Sequence, residues 1–295
     1  MEQAKEVRVR ANGIDFAGYE LGEGPLVLCL HGFPDHARSF RHQMEPLAAA
    51  GYRVVAPFMR GYAPTSPAPD GVYQSAALAH DVLGLIEALG CERAIVFGHD
   101  WGALAAYGAA VLAPERIERL VAAAVPYGPT FLARFATDYA QLKRSWYIFF
   151  FQTPAAEMAV AADDFRFLVN LWQDWSPGWQ IPEEEIESLR ATFRKEGVLE
   201  AALSYYRCML DPSRQVAALA SDQARIGVEP IQVPCLYLHG RNDGCLGVEL
   251  VDSMAESFPA GLRVEIVDGA GHFLHQEKPE EVNALILDFL GGGKR

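Results

Sequence analysis

The chain alternates between two kinds of pattern, and that alternation limits its fold more than any other feature. Short apolar runs, "PLVLCLHG", "YRVVAPF", "RAIVFGH" and "RIERLVAAAV", are separated by helical patterns near 38–50, 75–90 and 101–113. Runs that are apolar at nearly every position suit strands buried on both faces. Strand and helix in alternation predict right-handed crossovers and a parallel sheet. Ahead of them, "VRVRANGIDFAGYELG" reads as a hairpin turning at Asn12-Gly13, a pair suited to a two-residue turn with left-handed backbone. The expected class is α/β, a mostly parallel central sheet flanked by helices.

The alternation stops at about Tyr127 and returns only after Pro230. Between Tyr127 and Gly227 the chain reads as helix after helix, with four of the five tryptophans falling between Trp146 and Trp179. Beyond it, "PCLYLHG" and "LRVEIVDG" read as strands, "PEEVNALILDFL" as a closing helix and "GGGKR" as a tail expected to fray. The division expected is a core domain of 1–126 and 228–295 with a helical cap, 127–227, inserted over the carboxyl edge of the sheet, where open α/β sheets bind ligands. At 295 residues and 51% hydrophobic, the chain can bury a core of that size.

Charge and cysteine content exclude several partners. A net charge of −13 without clustered Lys and Arg argues against nucleic acid or an anionic membrane. Cys29, Cys91, Cys208, Cys235 and Cys245 are odd in number and lack metal-type spacing, which fits reduced thiols in the cytoplasm. "MEQAKEVRVR" has no apolar signal segment and no run reaches a membrane span. The composition is compatible with a monomer or a homodimer.

The turn after "RAIVF" carries the chemistry. Gly98-His99-Asp100-Trp101-Gly102 has the G-x-S-x-G form of a nucleophile turn between strand and helix, with Asp in place of Ser. A carboxylate there faces helix-terminal N–H groups and can attack carbon to form an ester. Helix capping alone would also explain an Asp at this position. The rest of the chain favours chemistry. His31-Gly32-Phe33-Pro34 ends a strand where an oxyanion hole takes a backbone N–H, the other coming from Trp101. Asp243 follows another strand, and His272 lies in a Gly-rich loop before the last helix. Nucleophile, acid and base thus run in the order 100, 243, 272, the chain order of the α/β-hydrolase triad.

Over nearly its whole length the chain resembles the α/β-hydrolases. Within them it is most similar to the epoxide hydrolases and their haloalkane dehalogenase relatives, which use Asp as nucleophile. "HGFPD", "RGYAPTSPA" and "GHDWG" match epoxide hydrolase signatures in content and spacing, with Ala63 departing from a common RGYG sequence. The resemblance implies an α/β-hydrolase fold, catalytic Asp100, His272 and Asp243, and no cofactor. Opening an epoxide releases an alkoxide, which needs acids over the ring oxygen, and phenols can serve. Tyr147 in "SWYIFFFQ" resembles the first cap tyrosine of the family. Tyr206 in "LSYYRCML" resembles the second, with Tyr205 the residue most easily confused with it.

Phe33, Trp101, Pro34, Phe150 and Phe273 complete the expected oxyanion and substrate contacts. The aromatic content of 146–179 implies a small apolar or aromatic epoxide, with water as second substrate. His275 lies one helical turn beyond His272. His31 and His99 flank the active-site turns as structural or pocket-lining residues, and His36, His42, His80 and His239 read as surface or core histidines. Asp268 and Asp252 are weaker candidates for the acid, and no residue cluster has metal-ligand spacing. The rival readings are a haloalkane or haloacid dehalogenase using the same Asp, and a non-catalytic binding protein on a hydrolase fold. Phe33 stands where haloalkane dehalogenases commonly carry Asn. Trp101 stands where haloacetate dehalogenases carry Arg.

Overall fold

The computed structural model describes residues 3–291, so residues 292–295 of the Gly-rich tail lie outside the described residues. Eight strands form one sheet: β1 Lys5–Ala11, β2 Ile14–Leu21, β3 Leu26–Leu30, β4 Arg53–Pro57, β5 Ala94–His99, β6 Ile117–Ala123, β7 Cys235–Gly240 and β8 Leu262–Val267. Their order is β1-β2-β4-β3-β5-β6-β7-β8. β1 and β2 form the expected hairpin, with Asn12 and Gly13 both at positive φ. β2 joins β4 antiparallel, and every pairing from β4 to β8 is parallel. The continuously apolar runs predicted as two-faced strands are buried at every residue in β3, β5 and β7.

Helices Arg41–Ala49, Ser75–Ala88, Trp101–Leu112 and Pro279–Gly291 flank the sheet. Trp101–Leu112 is rich in Ala and Gly for a packing reason. It lies between the sheet and the helix Ser75–Ala88, and Ala103, Ala105, Ala106 and Ala109 are fully buried there. Only small side chains let two layers approach a helix that closely.

Between β6 and β7 the chain is helical, with segments Pro129–Thr137, Tyr139–Arg144, Trp146–Phe150, Ala156–Trp175, Glu183–Phe193, Val198–Leu210 and Ala220–Arg225. Ala156–Trp175 is two helices joined across Asp163, Asp164 and Phe165, all at positive φ. Backbone and side-chain bonds tie this insertion to the carboxyl ends of the strands. The Trp172 indole donates to Pro34 O at 2.7 Å, and Tyr205 Oη donates to Arg60 O at 2.8 Å. The Trp175 carbonyl accepts from Gly244 N and His272 N, both at 3.0 Å, so it holds the loops after β7 and β8 together. All five cysteines are free. Among the described residues no helix is long and apolar enough to cross a membrane.

Candidate active site

Asp100 is the residue between β5 and the helix Trp101–Leu112, and its backbone stands at φ 53°, ψ −120°. A non-glycine residue rarely adopts that region, and its cost persists only where surrounding structure enforces it. The two glycines of the motif supply the enforcement. A Cβ on Gly98 would lie 2.2 Å from Gly102 O, and one on Gly102 would lie 2.0 Å from Leu30 O. Strand and helix are therefore in backbone contact, and the turn can only point Asp100 outward.

The Asp100 carboxylate meets a donor on one side and an imidazole on the other. Phe33 N–H donates to Oδ1 at 2.7 Å, and His272 Nε2 lies 3.6 Å from Oδ2. Of the two N–H groups expected at an oxyanion site, that of Phe33 alone bonds the carboxylate. His272 Nδ1 bonds Asp243 Oδ2 at 2.9 Å, and Asp243 Oδ1 accepts from Cys245 N at 2.7 Å and Leu246 N at 2.9 Å. Asp268 and Asp252 are exposed, and Asp268 pairs with Arg241.

Electrostatics single out His272 among the buried histidines. Burial alone would lower its pKa, but the carboxylates of Asp243 and Asp100 overcome that and raise it to about 10. The same partnership, against burial, holds Asp243 below the usual carboxylate range. Burial dominates for His31, lowered to about 4, and for His99, lowered to about 3. These two are structural. His31 Nε2 accepts from Met59 N at 3.0 Å, and His99 Nε2 bonds the His272 carbonyl at 2.9 Å. His275 Nε2 bonds Ser39 Oγ at 2.7 Å, behind the site.

Above the carboxylate is a cavity of about 110 Å³ lined by Asp100, Trp101, Leu104, Val125, Phe131, Leu132, Phe135, Tyr147, Ile148, Tyr206, Met209, Cys245 and Leu246. The two tyrosines come from different helices and their rings meet edge to face at 5.6 Å. Burial, reinforced by Cys245 for Tyr147 and by Asp100 for Tyr206, pushes both phenols well above their ordinary pKa, so both are donors at neutral pH. Tyr147 Oη contacts Cys245 Sγ at 3.3 Å. Tyr206 Oη is buried without a hydrogen bond of good geometry, its ring 5.1 Å from the Trp101 indole. Tyr205 is distinct from it, since its hydroxyl is spent on Arg60 O.

Three expected contacts lie elsewhere. Phe150 is not in the cavity wall but stacks on Phe167 at 5.8 Å, because Tyr147 and Phe151, four residues apart, take the inward face of that helix. Phe273 packs against the rings of His272 and Trp172, both at 5.2 Å, and so buttresses the imidazole rather than lining the cavity. Pro34 also stays out of the wall, its carbonyl held by Trp172. Conversely, sequence reading missed Cys245, Met209 and the helix Pro129–Thr137, which supplies Phe131, Leu132 and Phe135. The placement of Cys245 two residues after Asp243 was the one available signal. Val125, two residues beyond β6, lines the cavity. Ala63 has an ordinary φ, so its position does not require Gly.

Two buried groups bring three ligand-type atoms within 4.8 Å of one another, Asp243–Cys245–His272 and Asp35–His99–His275. In the first, carboxylate and imidazole bond each other and the thiol faces Tyr147. In the second, the Asp35 oxygens already accept from His36 N and Gln276 Nε2.

Comparison with known proteins identifies the family. Residues 25–279 match the alpha/beta hydrolase fold family. Epoxide hydrolase A of Mycobacterium tuberculosis is 32% identical, over 96% of each chain, and epoxide hydrolase 3 of Siraitia grosvenorii is 32% identical, over 98% of this chain and 99% of that one. The crystal structure of the Bacillus megaterium epoxide hydrolase in complex with an inhibitor superposes with a TM-score of 0.83 at 28% identity, covering 97% of this chain and all of that one. The chain belongs to the α/β-hydrolase fold family, as a hydrolase of its epoxide hydrolase branch.

Proposed function

We propose that the protein hydrolyses epoxides to vicinal diols in two steps, with Asp100 as nucleophile and without a cofactor. One observation carries the reading: two buried phenols line the same small cavity as a carboxylate held in a nucleophile turn. In the first step Asp100 forms a C–O bond to an epoxide carbon while that carbon's bond to the ring oxygen breaks. Tyr147 and Tyr206 hydrogen-bond the departing alkoxide and supply its proton. In the second, His272, oriented by Asp243, takes a proton from water, which adds to the ester carbonyl. The Phe33 N–H, with that of Trp101 once the carboxylate has become an ester, stabilises the oxyanion. Collapse breaks the ester C–O bond, the leaving alkoxide takes the proton of the added hydroxyl so that the diol and the Asp100 carboxylate are released, and the proton held by His272 passes back to the phenolate, restoring every group.

Residues 127–227 act in this scheme as a cap domain over a core of 1–126 and 228–295, and the substrate is apolar or aromatic, as the cavity wall is. The Trp101 indole would equally suit a halide, but a halide leaves as a stable anion and has no use for two phenols. The test is a single turnover with excess enzyme in heavy-oxygen water. The label is expected in the Asp100 carboxylate and absent from the first diol. Label appearing directly in that diol would mean water attacks the epoxide itself and would overturn the ester.

A further inference from the structure

The exposed part of the cavity lining is at Leu132 and Met209. Of its lining residues, Leu132 is 43% exposed and Met209 36%, with Phe135 half-buried beside them, whereas Asp100, Tyr147, Tyr206 and Cys245 are buried. The two tyrosines are backed by buried aromatic rings that are not part of the lining. Phe33 meets Tyr206 at 5.2 Å and Phe151 at 5.5 Å, Phe151 meets Tyr147 at 5.6 Å and Tyr206 at 5.2 Å, and Trp175 meets Tyr147 at 4.9 Å. Phe33, Phe151 and Trp175 are at most 2% exposed, and none reaches the cavity. The enclosed volume is also small. At about 110 Å³ it falls below the roughly 150 Å³ that accommodates a benzene ring, so a larger substituent must project through the opening.

We infer that the substrate is a terminal epoxide, substituted on one carbon, whose apolar tail leaves between Leu132 and Met209, and that trans-1,2-disubstituted epoxides are excluded by the wall of Phe33, Phe151 and Trp175. The inference rests on the epoxide-opening reading of the site. A trans-disubstituted epoxide directs its two groups to opposite sides of the ring. With the ring at Asp100, one group has the opening and the other meets packed aromatic carbon. A close-packed core yields little to an added methyl group.

Two isomers of one composition make the test, 1,2-epoxyhexane and trans-2,3-epoxyhexane, scored for diol by kcat/KM. The terminal isomer should be preferred roughly 10²-fold, the scale on which a packed pocket rejects an added carbon. A preference under about tenfold would overturn the inference while leaving the epoxide hydrolase reading in place. Diol from neither isomer would overturn both. Phe151→Ala, or the milder Phe151→Leu if that variant does not fold, should raise the relative rate of the trans isomer by about tenfold. Unchanged selectivity in a folded variant would count against Phe151 as the wall.

Discussion

The sheet edge and the helical insertion form opposite sides of one cavity and hold their groups by different means. On the sheet side the groups proposed to react are fixed by backbone. Asp100 sits in a strained turn locked by two glycines, Asp243 accepts two N–H groups, and the Trp175 carbonyl clamps the loops of Asp243 and His272. On the insertion side the phenols are held by ring packing, with one hydroxyl on a sulfur and the other unpartnered. Groups proposed to make and break bonds to carbon hang from strand ends, where a small displacement is costly. Groups proposed to meet a departing oxygen sit on a packed face and donate to no protein oxygen.

If that division is right, removing a group from the sheet side should stop a step outright. Asp100→Ala should lower turnover on the order of 10⁴-fold or more, with no covalent adduct by intact-protein mass spectrometry. His272→Gln should also abolish turnover yet accumulate protein plus substrate, because the proposed base acts on the ester alone. A folded His272→Gln variant that binds substrate and gains no mass would break the assignment.

The insertion side should be redundant. Tyr206→Phe and Tyr147→Phe should each slow ester formation, by about 10²-fold at most, while the double variant approaches the ~10⁴-fold limit of lost general-acid help. Ester decay should change little, since its oxyanion lies at Phe33. Stopped-flow kinetics of adduct formation and decay separate the two. Parent-like ring opening in the double variant would return the dehalogenase reading.

The same division explains what sequence made legible. Strand runs and the hairpin turn are local patterns, and Gly98-x-Asp100-x-Gly102 is a five-residue motif whose glycines mark the close backbone approaches to Gly102 O and Leu30 O, so β1 to β8 and the turn at Asp100 are legible from short stretches. His272 and Asp243 needed only their positions after strands. The insertion is decided by packing between helices far apart in sequence. In "WYIFFFQ" several aromatic residues compete for one inward face, and Phe150 and Phe151 differ only by a 100° rotation about the helix. The structure gives that face to Phe151 and sends Phe150 to Phe167. Phe131, Leu132, Phe135 and Met209 had no motif to mark them, because an apolar residue lining a cavity has the same composition as one filling a core.

A sharper comparison follows from charge. His272 is raised to about 10 by two carboxylates, so in the free enzyme it is an imidazolium at neutral pH. An ester on Asp100 is neutral and removes one of those carboxylates, which lowers the pKa of His272 at the stage where a neutral base is needed. Ester formation, which uses the Asp100 carboxylate and two phenols held protonated well above their ordinary range, should stay flat up to about pH 10. Ester hydrolysis should rise about tenfold per pH unit and level off at a midpoint well below that value. Rapid-quench measurement of the two steps across the neutral and alkaline range reads both profiles. A hydrolysis midpoint at or above about 10 would mean that the Asp100 charge does not govern the base.

The smallest effect should come from Cys245, the sheet-side residue that touches the insertion. Its Sγ lies 3.3 Å from Tyr147 Oη, and burial with the nearby carboxylates of Asp243 and Asp100 raises its thiol well above the ordinary range. It is therefore a thiol and not a thiolate, able to donate S–H to the phenol oxygen while the phenol donates to the epoxide. Such a chain strengthens the second bond modestly. Cys245→Ala should slow ring opening about two- to threefold in the parent, where Tyr206 compensates, and roughly three- to tenfold in a Tyr206→Phe background, the scale of one weak hydrogen bond. The four rates form a double-mutant cycle whose unequal effects appear as coupling between Cys245 and Tyr206, because Tyr206 is the phenol that compensates when the Cys245–Tyr147 pair is weakened. Equal effects in both backgrounds would mean that the sulfur only fills space, and that the two sides of the cavity meet without sharing a proton-donating chain.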